Sequence, residues 1–256
     1  MSDKNGEDKN PLKNIIYISI PENIEKNIGN FTIDPSILLP VEVPAGSEDY
    51  QLQNLSWEMI ISAMLKVLAY KPDHEHAEYY RNFILTVDPT IVEELTNIAI
   101  LKAKNQDYDI AEEIFLALSQ LVPDDTNNIL NLALVYEQHA VAYERIGNSD
   151  LKDVYINKAF EGYKEALKRD PESPDVHYNA AHFFSRNHNV QKAKEHFQHY
   201  LNLGSDKKRL EEVKKLLTEI DTQDQLDTLF KEAYDFIRMG KEHEGIKRIQ
   251  IGRAHV

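Results

Sequence analysis

The chain has 256 residues, 42% of them hydrophobic and 28% charged, and a formal charge of −14. That length is enough to bury a sizeable core in one large domain or two small ones, and the composition is that of an ordinary globular protein. The lack of cysteine excludes a disulfide framework, thiol catalysis and cysteine-based zinc sites. The acidic balance argues against generic nucleic-acid binding, because phosphate is repelled by a surface of its own sign.

The polar start of the chain lacks the apolar stretch of a secretory signal. No apolar run reaches the roughly 18 residues of a membrane span. A cytoplasmic protein is expected, with neither membrane nor nucleic acid as a partner. Residues 1–55 carry scattered prolines and no sustained period, which predicts a polar, partly extended tail. Ile37, Leu38, Leu39 and Val41 are its candidates for docking on the body of the chain.

From Ser56 the chain repeats. Pro89 and Pro123 stand 34 residues apart, Pro171 comes after 48, and Ser205 after another 34. Ala77, Ala111, Ala159 and Ala193 precede these four positions by 12 each time. Apolar residues at helical spacing lie between them: Ile114 and Phe115, Phe160 and Tyr163, Phe197 and Tyr200. Each unit therefore holds a helix ending near the proline, which cannot continue a helix interior but can open the next turn.

A preceding helix repeats too, as Leu95, Ile98, Ala99, Lys102, then Ile129, Leu132, Ala133, Tyr136, then His177, Ala180, Ala181, Phe184. The small residue recurs because two helices cross closely there. Thr90 with Glu93 reads as a capping box, and Ser173-Pro174 as a cap followed by proline at the first helical position.

Ile129, Leu132, Ala133, Tyr136, Ala159, Tyr163, Ala166 and Pro171 occupy the places by which this chain resembles the tetratricopeptide repeat, of bacterial type. The resemblance spans residues 56–207 in four units, 58–91, 92–125, 126–173 and 174–207. The first is the loosest: it keeps Leu65, Ala77 and Pro89 but has Arg81 where an aromatic is usual. The family implies an all-α fold, a right-handed α-solenoid of stacked helix–turn–helix units.

The third unit departs from the pattern. Tyr136 precedes Ala159 by 23 residues, where Leu68 and Ala77, Lys102 and Ala111, or Phe184 and Ala193 are nine apart. The excess of two heptads preserves the helix face to within about 20°. It predicts a hairpin of helices 126–146 and 150–169 about Gly147, protruding by about 10 Å. This is either a neutral insertion or a prong that touches a partner.

Residues 208–222 form a connecting amphipathic helix, with Leu210, Val213, Leu216, Leu217 and Ile220 on one stripe. The phase then shifts, and residues 226–250 restart the repeat as a partial fifth unit. Ile251 to Val256 (IGRAHV) resembles a translated sequencing adapter, and Gly252 and Val256 do not fit a continuing helix. On that reading the native protein continues beyond Gln250. Leu229, Phe230, Phe236, Ile237, Ile246 and Ile249 would then lack their covering repeat, and self-association through this end is expected.

No residue constellation carries catalysis: there is no Gly-rich phosphate loop and no nucleophile elbow. Zinc needs three or four converging ligands. His177, in the place of a core residue, and His182, His188, His196 and His199 around it read as structural or solvated, as do His74 and His76. No metal and no cofactor is expected. The resemblance implies that the first (A) helices of the units line a concave groove for a peptide or protein partner. Asn97, Asn131 and Asn179 stand two residues before the small alanines, 34 and 48 apart, and an amide both donates and accepts. Lys66, Lys104, Gln138, Tyr178, His182 and Arg186 map beside them. The basic clamp with which one subgroup holds acidic chaperone tails is absent, since Asn127, Asn131, Asp175 and Asn179 stand in its places. The expected function is a non-catalytic interaction scaffold. The alternative is a targeting or regulatory arm of an enzyme whose catalytic domain lies beyond Gln250.

Overall fold

The computed structural model describes residues 10–19, 27–28, 30–43 and 56–253. It divides into two compact units, Met1–Arg169 and Asp170–Val256. The fold class is all-α, built of helix–turn–helix pairs as the tetratricopeptide resemblance implies, to which unit one adds two small sheets.

Unit one opens with short strands. β1 (Ile15–Ile18) pairs antiparallel with β4 (Leu39–Glu42), Ile15 opposite Glu42 and Ile18 opposite Leu39; β2 (Asn27–Ile28) pairs with β3 (Phe31–Thr32). The described part of this segment packs on α1 through β4. Ile33, Leu39 and Val41 are buried, and the carbonyl of Leu38 accepts from Tyr80 Oη at 3.1 Å while the Leu38 side chain stays exposed. Strands of two and four residues are too short to show a period in the sequence.

Six helices come next: α1 (Trp57–Tyr70), α2 (Ala77–Val87), α3 (Ile91–Lys104), α4 (Tyr108–Leu121), α5 (Thr126–Arg145) and α6 (Ser149–Arg169). The first pair does not close on itself as a repeat hairpin would. α1 packs extensively on β4 and α4 and only lightly on α2. Its buried residues, Ile60, Ile61, Ala63, Met64, Val67, Leu68 and Ala69, cover more than one face, as befits a helix enclosed from several sides. Arg81 finds a use outside the aromatic pattern: its Nε donates to the Gln120 carbonyl at 2.5 Å, satisfying an acceptor that the end of α4 leaves open.

The capping box at Thr90 does not form. Thr90 is already helical in its backbone (φ −93°, ψ −10°), and its hydroxyl lies 3.0 Å from Asp88 Oδ1 and 2.8 Å from Glu94 Oε1. Asp88 makes the turn instead, accepting from the Thr90 amide at 3.1 Å.

The third hairpin is longer than its neighbour, with 20 residues in α5 and 21 in α6 against 14 each in α3 and α4. Gly147 turns the chain at φ 74°, a value glycine adopts without strain. α5 and α6 cross where Ala133 meets Gly162, and a Cβ built on Gly162 would sit 2.9 Å from that of Ala133.

Unit two holds α7 (Pro174–Arg186), α8 (Val190–Leu203), α9 (Lys207–Arg238) and α10 (Glu242–Arg253). The expected break between 222 and 226 is absent, because α9 is one helix of 32 residues. The shift of apolar phase is real, but it marks a change of neighbour. Val213 is buried in the half beside α8, and Leu226 and Ala233, on nearly the opposite face, in the half beside α10. Nothing between Ile220 and Leu226 breaks a helix, and Lys194 of α8 pairs with Asp221 at 2.5 Å. α10 likewise runs through Ile251 and Gly252 to Arg253. An interior glycine costs only about 1 kcal/mol, and Gly252 is buried with Leu226 close by. The last three residues, with Val256, lie outside the described residues.

Candidate functional site

The structure distributes the groove residues over both units and treats them unequally. In unit one, Asn97 and Lys104 lie seven apart on α3, as Asn131 and Gln138 do on α5, so each pair shares a face. Asn97, Lys104 and Gln138 are exposed and Asn131 half-buried. None of the four has a side-chain hydrogen bond or ion pair among the described residues. Lys66 differs: its Nζ lies 2.5 Å from Glu42 Oε1 of β4, so its charge is already neutralised within the unit. Ile100 and Leu134 complete this face. They stand 34 apart between the amides, Ile100 exposed and Leu134 half-buried. Sequence reasoning missed both, although their spacing matches that of the asparagines.

In unit two, side chains of α9 reach the corresponding face of α7. Tyr178 Oη donates to Glu212, 3.1 and 3.2 Å from its two oxygens, and the Arg209 guanidinium lies 4.7 Å from the ring centre. Arg209 also bridges to Asp175 at 2.7 Å. His182, the counterpart of Leu134, sits against Phe197 and Tyr178, its Nε2 3.7 Å from Glu212 and without a hydrogen bond. Burial, aided by Arg186, holds the His182 pKa below its ordinary value, and burial raises that of Tyr178. Asn179 turns its amide back to the Asp175 carbonyl at 2.8 Å. Arg186 is exposed at the end of the helix.

Two polar clusters lie inside the units. In the lengthened hairpin, Lys158 reaches Glu112 at 2.8 Å between the rings of Tyr136 and Tyr155, 5.0 and 4.4 Å from their centres. Buried His139 stacks on Tyr143, with Glu112 Oε2 3.7 Å from its unpaired Nδ1. Burial outweighs the two neighbouring carboxylates and lowers its pKa. In unit two, His177 Nε2 lies 2.9 Å from the Pro171 carbonyl and must donate, so the Nδ1 of the neutral ring accepts from His196 Nδ1, 3.0 Å away. Burial first, then His177, push His196 down to about 4. Among the described residues no group of three or more metal-ligating side chains converges. The open face of unit one has donors, acceptors and aliphatic surface but, among the described residues, no nucleophile paired with a base.

No family model matches the sequence. The photosystem I assembly protein Ycf3 of Prochlorococcus marinus strain MIT 9312 is 29% identical over 99 residues, 38% of this chain and 57% of that protein. The chain thus spans somewhat over half the length of the curated relatives it matches. Among solved structures, the type III secretion translocator chaperone SycD of Yersinia enterocolitica has a TM-score of 0.42 at 18% identity, covering 52% of this chain and 92% of that one. A human IFIT1 dimer with PPP-AAAA scores 0.39 at 17% identity, covering 76% and 54%. No helix among the described residues is long and apolar enough to cross a membrane.

Proposed function

We propose that the chain is a protein–protein interaction scaffold that holds an extended segment of a protein partner against the A helices of unit one, without catalysis. The observation that carries this reading is the pair of asparagines, Asn97 and Asn131, at one repeat phase, without intramolecular hydrogen bonds among the described residues and flanked by Ile100 and Leu134. Amides of this kind can pair with the main chain of any peptide, and the aliphatic residues beside them can receive its side chains. The relatives named for photosystem I assembly are in keeping with such a role.

Replacing Asn97, Asn131 and Asn179 together by alanine is expected to weaken capture of a partner identified by co-purification, by about 1 kcal/mol for each amide that makes contact. Far-UV circular dichroism should not change. Because Asn179 already bonds to Asp175, most of the loss should come from the first two. Undiminished capture by the triple variant would refute groove binding.

A further inference from the structure

α3 carries a second open surface, which adjoins the amide face and shares Lys104 with it. Glu94, Ile98, Leu101 and Asn105 succeed one another at helical spacings of four, three and four, which makes a single stripe. Ile98 is 45% and Leu101 58% exposed. Their counterparts one repeat later, Leu132 and Val135 on α5, are 8% and 2% exposed, and those on α7, Ala180 and Phe183, are buried as well. The same register position is therefore covered on α5 and α7 and bare on α3.

Unit one itself shows what covers such a face. α4, the second helix of the preceding hairpin, packs along α5. It lies antiparallel: the end of α4 leads directly into the start of α5, while Asp109 and Glu112 from its first turns lie 3.8 and 3.7 Å from His139, far along α5. The helix that would play this part for α3 is α2. It packs instead on α1 and β3 and makes no extensive contact with α3, while α1 lies on α4.

The charges beside the stripe run from Glu93 and Glu94 at the start of α3 to Lys104 at its end. Lys104 has no ion-pair partner among the described residues, whereas Lys102 is held by Asp107 at 2.8 Å. A helix lying antiparallel to α3 would place its first turns over Lys104, where carboxylates also suit its own dipole.

We propose that this flank of α3 receives an amphipathic α-helix from a partner protein, antiparallel to α3, with carboxylates in its first two turns and an apolar stripe over Ile98 and Leu101. The geometry is that of α4 on α5, supplied in trans. It does not depend on the amide face holding a peptide.

The probe is a helix-stapled, fluorescein-labelled peptide of residues Tyr108–Leu121, the sequence that covers the equivalent face of α5. Fluorescence anisotropy with the whole chain is expected to show saturable binding. Leu101→Glu should weaken it at least tenfold, and Lys104→Glu should weaken it by a smaller factor. Ile146→Glu, at the still more exposed hairpin tip, should leave it unchanged. Leu101 is on the surface, so circular dichroism should confirm that its variant folds. Absence of saturable binding, or equal binding to Leu101→Glu, would overturn the proposal. A concentration-dependent dimer in sedimentation that Leu101→Glu dissolves would also overturn it, by showing that the seat belongs to a second copy of the chain.

Discussion

α5 and α7 stand at the same phase of one repeat, yet their outward faces end in opposite states. On α5, Asn131 and Gln138 have no side-chain partner among the described residues. On α7, Tyr178 and His182 face Glu212, and Asn179 folds back onto its own helix. Residue type and neighbour act together here: Tyr178 and His182 stand where α5 has Leu130 and Leu134, and α9 supplies the carboxylate and the guanidinium that engage the α7 face. A repeat motif thus specifies where a polar side chain points, while the next helix decides whether it remains open to a ligand.

The comparison can be pressed hardest at the crossing that supports α5. Gly162→Val would drive a branched side chain into Ala133 and is expected to destabilise unit one by about 1–3 kcal/mol, as overpacking does. Trp57, the single tryptophan and part of unit one, reports this as a lower urea midpoint, while hydrogen exchange in α7 and α8 should hardly change. A variant as stable as the parent would mean that the two helices separate at little cost.

Acid distinguishes the units by a second route. Burial, the largest cause in each case, holds His177, His182 and His196 of unit two below the usual histidine range, His196 at about 4. The unfolded rings take up protons near 6.5. The folded state binds fewer protons between these values, so stability is full above about pH 6.5 and falls as pH drops toward 4. Unit one has His74 and His139 shifted in the same direction, hence a smaller loss. His177→Leu, which restores the apolar residue usual at that place, should flatten the acid limb of unit two in exchange rates of α7 and α8. A limb unchanged by the substitution would clear the histidine pair of responsibility.

The gentlest change is Glu212→Ala. It should alter stability by less than about 1 kcal/mol, because the pairing is partly exposed. The Tyr178 pKa should fall and that of His182 should fall further, since Glu212 raises both. Nuclear magnetic resonance titration of the two rings reads this directly. Unmoved titrations would show that α9 does not govern this face.

Much of the helical plan was legible in the residues. The alanine–proline spacing located the hairpins from Ile91 to Leu203, and the two added heptads between Tyr136 and Ala159 gave the long α5 and α6 within a residue or two. What escaped was tertiary. β1 and β4 are too short to show alternation, and nothing local says that α1 lies on α4. Thr90 had the pattern of a capping box, but the carboxylate of Asp88, two residues earlier, competes for the same turn. The phase shift after Ile220 looked like an interruption because periodicity records which side is buried and not whether the backbone continues. For the candidate site, the spacing of Asn97 and Asn131 placed them at matching positions of α3 and α5. The engagement of Lys66 by Glu42 and of Tyr178 by Glu212 was not, because each partner lies at least 24 residues away in the chain.

The unbroken course of α9 constrains how this sequence can drift. Its two buried stripes face nearly opposite directions within one rigid rod, so their angular relation is set by the count of residues between Ile220 and Leu226. A loop there would absorb an added or missing residue. In a helix, a single insertion or deletion turns everything beyond it by about 100°, so that Leu226, Ala233 and the α10 packed on them swing together relative to the half that buries Val213. Apart from Asp221 and Asp224, which face Lys194, the side chains in that interval are less constrained than its length.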